Sequence, residues 1–99
     1  MIKHVVMWKM RGPSIEEKQE QAKRVRAALI ALEGKIPGLL ELQVGIGAGG
    51  AEEVSDVALI TTHDDWKALE EYQNHPEHKV AVKIIGELRV ERRVVDFEV

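Results

Sequence analysis

Ile2, His4, Val6, Trp8 and Met10 form one row of an alternating segment, and Lys3, Val5, Met7 and Lys9 form the other. Alternation with period two is strand spacing. This strand is apolar along almost the whole of one face and in the middle of the other. Gly12-Pro13 ends it. Ser14 with Glu17 three residues on is a capping box that opens a helix. Ala22, Val25, Leu29 and Leu32 then recur at helical spacing as its inward stripe, while Glu16, Glu20, Lys23, Arg24 and Arg26 make a solvated face. Gly34 is the expected stop, and Ile36-Pro37-Gly38 turns the chain.

A second strand is read from Leu40, Leu42, Val44 and Ile46, which alternate with Glu41, Gln43 and Gly45. After a glycine-rich loop over 47–53, a third is predicted over Val54–His63. It carries Val57, Leu59 and Thr61 on one face, and Ala58, Ile60 and Thr62 on the other. Asp64 or Asp65 can cap the next helix, whose inner stripe reads Trp66, Leu69 and Tyr72. Pro76 cannot continue that helix, because it lacks an N–H and its ring clashes with the preceding turn. It does suit the first position of a new one, with His75 or Asn74 as the cap and Val80, Ile84 and Ile85 inward. Gly86 should end this helix, and Leu88–Val99 reads as a closing strand.

The order is β-α-β-β-α-β with a broken second helix, the ferredoxin-like pattern of a four-stranded antiparallel sheet with helices on one face. One domain over residues 1–99 is expected. Helices on one face leave the other bare, including Val5, Met7 and one row of the third strand. Apolar surface of that kind needs a partner, so the expected partner is a second copy, in a homodimer formed through the sheet face.

Composition narrows the function. The 99 residues carry a formal net charge of -3, and no basic run exceeds Arg92-Arg93. Nothing here recommends nucleic acid or an anionic membrane as a partner. With no cysteine, disulfides, thiolate catalysis and cysteine metal sites drop out. No apolar run approaches the ~20 residues of a membrane span, and Met1–Met10 reads as a strand rather than a leader. A cytoplasmic protein is the expectation. The glycines of 47–53 do not read as a phosphate loop, since a strand and not a helix follows them.

The segment Tyr72-x-x-His75-Pro76-x-His78 is where chemistry can sit. Tyr72 and His78 can face a common space across the break, and a phenol with a neutral imidazole is a workable acid/base pair without a metal or cofactor. A first-turn His78 is disfavoured as imidazolium by the helix dipole. The pocket would lie between helices and sheet, lined by His4, Val6, Trp8 and Leu59, with His75 beside it. The structural alternative is that His75-Pro76 is a capping device, His78 a solvated residue and His4 a hydrogen-bonded core histidine. A metal on His75 and His78 is not expected, because a cap and a first-turn residue need not point together.

The opening Ile2-Lys3-His4-Val5-Val6, the Lys35-Ile36-Pro37-Gly38 turn, the His75-Pro76-x-His78 segment and the ending Val94-Val95-Asp96-Phe97-Glu98-Val99 together resemble the stress-responsive A/B barrel (Dabb) family from end to end. The resemblance implies a dimeric α+β barrel in which two sheets pack face to face. Most members have no assigned chemistry. A plant member closes a linear polyketide by an aldol condensation without a cofactor, and its catalytic Tyr and His match Tyr72 and His78 here, with His4 matching its first-strand His. Three functions are therefore in play: a small-molecule binding protein for hydrophobic or carbonyl-containing ligands, a cofactor-independent cyclase-like enzyme, and a structural dimer whose pocket is filled by side chains such as Trp8 and Trp66.

Overall fold

A computed structural model describes all of residues 1–99. The elements are β1 (Ile2–Met10), α1 (Ile15–Ile30), β2 (Leu39–Ile46), β3 (Val57–His63), α2 (Trp66–Asn74), α3 (Pro76–Leu88) and β4 (Arg89–Glu98). The four strands form one antiparallel sheet in the order β2-β3-β1-β4. This is the α+β ferredoxin-like architecture expected of the alternation pattern. β1 is central, and its two rows part company. Ile2, His4, Val6, Trp8 and Met10 are buried beneath the helices, whereas Met7 is exposed on the opposite face. The core joins that row to Val25 and Leu29 of α1, Leu59 of β3, Leu69 and Tyr72 of α2, and Ile85 and Leu88 of α3.

The expected starts of the helices are in place. Ser14 Oγ accepts from Glu17 N at 3.1 Å, and Asp65 Oδ1 from Ala68 N at 2.8 Å. His75 separates α2 from α3, and its Nδ1 accepts from Glu77 N at 3.1 Å with Pro76 opening the new helix. The break is therefore capped rather than merely interrupted.

Several details depart from the reading of the sequence. α1 ends at Ile30, short of Gly34, because the chain tightens into three-residue turns: Leu32 N donates to Leu29 O at 3.0 Å and Lys35 N to Leu32 O at 3.1 Å. Those turns bury Leu32 and Ile36. Leu40 is exposed, since Leu39 pairs with His63 and Glu41 with Thr62, leaving Leu40 as the extra residue of a bulge. β3 starts at Val57 rather than Val54, which caps a turn onto Ala51 O. Trp66 is half exposed, because capping by Asp65 turns Ala68 inward in its place, beside the expected Leu69 and Tyr72. On α3 the buried positions are Ala81, Ile85 and Leu88, and Val80 faces out. The helix runs through Gly86, where nothing crowds the backbone and Leu88 beyond it gains a place in the core. The ~1 kcal/mol helix penalty of a glycine is less than the roughly 1.5–3 kcal/mol gained by burying a leucine.

Asp56 was not singled out by any pattern, yet it is buried and ties the 47–56 loop to the end of β1. Its Oδ2 accepts from Met10 N at 2.7 Å and its own N–H donates to Trp8 O at 2.9 Å.

Gly38 and Gly34 offer a controlled comparison. Both have positive φ, +83° and +74°, but a Cβ on Gly38 would stand 2.8 Å from Ala68 Cβ, whereas one on Gly34 would meet nothing. Gly34→Ala should cost ~1–2 kcal/mol from backbone strain alone, and Gly38→Ala about 1–3 kcal/mol more from the clash. Urea unfolding of the two variants measures the difference; equal losses would show that the turn relaxes away from α2.

Candidate functional site

Four ring side chains meet between α2, α3 and the sheet. Tyr72 is wholly buried, with its ring centroid 4.3 Å from that of His78 and 4.8 Å from that of His63. His4 approaches Tyr72 edge-on at 6.1 Å. The register explains the grouping: His4 stands opposite both Thr61 on β3 and Asp96 on β4, and Thr61 shares its strand face with His63. α2 lays Tyr72 over these rings, and the capped break at His75 starts α3 so that His78 falls in its first turn.

Hydrogen bonds set the roles of the histidines. His78 Nδ1 lies 3.2 Å from Gln73 O, so Nδ1–H donates to that carbonyl and Nε2 keeps its lone pair. His4 Nδ1 pairs with Asp96 Oδ1. His4 is thus both a buried, partnered histidine and part of the site. His63 Nε2 is 2.8 Å from Thr61 Oγ1, and His63 Nδ1 and Tyr72 Oη have no protein partner.

Burial dominates the electrostatics. It lowers the pKa of His78, and the positive charges of Arg92 and any protonated His4 or His75 push the same way, against the Gln73 carbonyl. It lowers His63 to about 4, assisted by His4. Burial raises the Tyr72 phenol above its ordinary value, with Arg92 opposing. At neutral pH the site therefore holds a neutral His78 that can accept a proton at Nε2 and a Tyr72 that stays protonated.

Beside the ring cluster opens a cleft of about 250 Å³. Val6 and Trp8 of β1, Leu59 of β3, Leu29 of α1, and Val82 and Ile85 of α3 form its apolar wall, and His4, His78, Arg89 and Arg92 supply its polar lining. Of the residues singled out from sequence, His4, Val6, Trp8, Leu59 and His78 line this cleft. Tyr72 lies behind His78 in ring contact and is not part of the lining. His75 is not part of it either, because its ring is engaged in capping α3. Trp66 is on the outside and closes nothing. Missed from sequence were His63, which continues the Val57, Leu59, Thr61 row by one step, and Arg89, Arg92, Val82 and Leu29. No three His, Asp or Glu side chains are grouped to hold a metal ion, and no helix is long and apolar enough to cross a membrane.

The family model described as Stress responsive A/B Barrel Domain matches residues 2–99. The chain belongs to this Dabb family. Solved structures that share the fold over 99% of this chain include three dimeric proteins. A dimeric protein of unknown function with a ferredoxin-like fold from Bacteroides fragilis is 32% identical, with 95% of its chain covered and a TM-score of 0.85. A dimeric ferredoxin-like protein of unknown function from Thermobifida fusca is 28% identical, with 90% covered and a TM-score of 0.83. A third, from Jannaschia, also dimeric and of unknown function, is 26% identical, with 98% covered and a TM-score of 0.78. A search of curated proteins found no match.

The neutral histidines of this Dabb domain make its stability pH-dependent. For His63 the folded pKa, about 4, lies below the ordinary ~6.5 of the unfolded chain. Between those values the unfolded state binds more protons, so stability rises with pH through the window and falls as pH drops from 6.5 to 4. His78, lowered in the same sense, adds to the slope. His63→Phe keeps the ring and removes the titration. Its unfolding free energy should fall less than wild type between pH 6.5 and 4; parallel curves would mean that His63 titrates normally.

Proposed function

We propose that this Dabb protein is a homodimer that binds a small, mostly apolar molecule bearing a carbonyl or similar polar group in the cleft between helices and sheet. The observation that carries the reading is the cleft itself: hydrocarbon walls with His4 and His78 among their lining, concave and adjacent to groups whose pKa values are shifted by burial. Apolar concavities with few, placed polar groups are the usual form of small-molecule sites, and perturbed titratable groups gather at functional ones.

The dimer reading rests on the sheet's other face. Met7, Ile60, Val95 and Phe97, 41%, 37%, 52% and 43% exposed, stand there together with Val5. A shallow depression of about 610 Å³ runs along that face past Met7, Ala58 and Arg93. An apolar patch of this kind is what a second copy would cover, and the Bacteroides, Thermobifida and Jannaschia structures are dimers.

A second reading is favoured by one detail. His78 keeps a free Nε2 because Gln73 fixes its tautomer, and Tyr72 stays protonated against its ring. In a cofactor-independent reaction, His78 would take a proton from a carbon beside a carbonyl, the C–H electron pair passing onto the carbonyl oxygen as an enolate. Tyr72, acting from behind His78 rather than from the cleft, would hold that imidazole in position. The structural alternative, a dimer with no ligand site, is decided by the same experiment as the binding reading.

Octanamide, a neutral chain ending in a carbonyl, is a suitable probe. In an NMR titration it should shift the ring resonances of His4 and His78 and the indole of Trp8, leaving Trp66 unmoved. No shift at any of the first three would remove the binding reading. His78→Ala should retain binding within a few-fold, and any turnover found for a carbonyl substrate should fall by ~10²–10⁴. For the dimer, Val5→Glu or Met7→Glu should halve the mass by light scattering while leaving circular dichroism intact. A wild-type monomer of 11.1 kDa at low micromolar concentration would remove the dimer reading.

A further inference from the structure

Arg89 and Arg92 are three residues apart, which in a regular strand would put them on opposite faces. Here they share one. Arg92 pairs with Trp8 and Arg89 with Met10, because the register shifts between Lys9 and Met10 and leaves Val90 as the extra residue. Trp8 and Met10 belong to the row under the helices, so the bulge turns both guanidinium groups to the helix side, where both line the cleft. Bulges that re-aim a side chain occur beside functional sites.

Neither guanidinium has an ion-pair or hydrogen-bond partner in the protein. The carboxylates of the same strand that form ion pairs are already engaged, Glu91 with Arg93 and Asp96 with His4. Arg11 donates to the Arg89 backbone carbonyl, not to its side chain. Arg92 is close enough to act on the inner rings, since its charge bears on both Tyr72 and His78. A cleft lined by two unpaired guanidinium groups as well as by Trp8, Leu29, Leu59 and Ile85 is a site for an anion with an apolar body.

We propose that the molecule the cleft takes is an amphipathic carboxylate, its chain on Trp8, Leu29 and Leu59 and its anionic end held by Arg89 and Arg92. This rests on the reading of the cleft as a binding site. A guanidinium matches a carboxylate bidentately, and a hydrogen bond to a charged group contributes more than a neutral one.

The experiment compares octanoate with octanamide by calorimetry and NMR. Wild type should bind octanoate about tenfold more tightly. Arg92→Gln and Arg89→Gln should each bring octanoate several-fold closer to octanamide and leave octanamide unchanged, with Arg92→Lys intermediate. Arg26→Gln, which removes the same charge from the exposed face of α1, should change neither. Added salt should weaken octanoate and not octanamide. Equal affinities for the two probes, or octanoate binding indifferent to both Arg→Gln changes, would overturn the anion proposal while the cleft stood as a binding site. If neither probe binds, the cleft reading fails and this proposal with it. Octanoate binding without octanamide binding would support it most strongly.

Discussion

One peptide link, His75–Pro76, sets the inner geometry of this protein. Pro76 cannot extend α2, so the chain must end one helix and begin another. The cost of doing so is moderated by the His75 ring, which satisfies the Glu77 N–H that a bare helix start would leave open. The new helix then begins with His78 one turn in, close enough to the end of α2 for Gln73 to hold its Nδ1–H and for Tyr72 to lie against its ring. An unbroken helix would keep residues 72 and 78 six positions apart, well past the three- and four-residue steps that bring side chains together. The break converts a sequence spacing that does not meet into a ring contact of 4.3 Å.

Around that contact, burial does more than charge. His78 sits at a helix start, where the dipole argument expects a depressed pKa, and the pKa is depressed, but desolvation is the leading cause. The same desolvation lowers His63 and raises Tyr72, so three groups are driven toward their neutral forms by one environment. Charge re-enters from β4, through Arg89 and Arg92 in the cleft lining. The cleft lining therefore combines a neutral imidazole with fixed positive charge.

How much of this was legible in the sequence follows from what each signal measures. Alternation and capping residues reported local geometry, and Ser14, Asp65 and His75–Pro76 behave as their chemistry says. Helix stripes were less reliable. Trp66 and Val80 looked inward by spacing, but the cap fixes where a helix begins and packing fixes its rotation. A one-residue bulge is invisible to period-two reading, and it misled at Leu40 and concealed the shared face of Arg89 and Arg92. His4, Val6, Trp8, Leu59 and His78 were placed together because they belong to strand rows or to the break. His63 continues the row of Val57, Leu59 and Thr61, but alternation marks it only as an inward residue and says nothing of the rings that topology brings beside it. The pairing of His4 with Asp96 joins residues 92 positions apart, a distance only topology can close.

The central strand also explains how one small domain can present two surfaces without confusing them. β1 faces the cleft with His4, Val6 and Trp8 and faces away from the helices with Val5 and Met7, so a strand of nine residues contributes to both. Successive side chains point to opposite sides, and a one-residue slip would exchange the two sets completely. Pairing with β3 and β4 on either side holds the register over seven consecutive pairs with β3 alone. Substitutions in the odd row therefore act on the open face while leaving the cleft wall in place, and substitutions in the even row do the reverse. The two surfaces are nonetheless joined by a shared backbone. A change that loosened β1 from either neighbour would disturb the cleft and the open face together, which is why the charged substitutions belong at side chains that point away from the helices rather than at the ladder's ends.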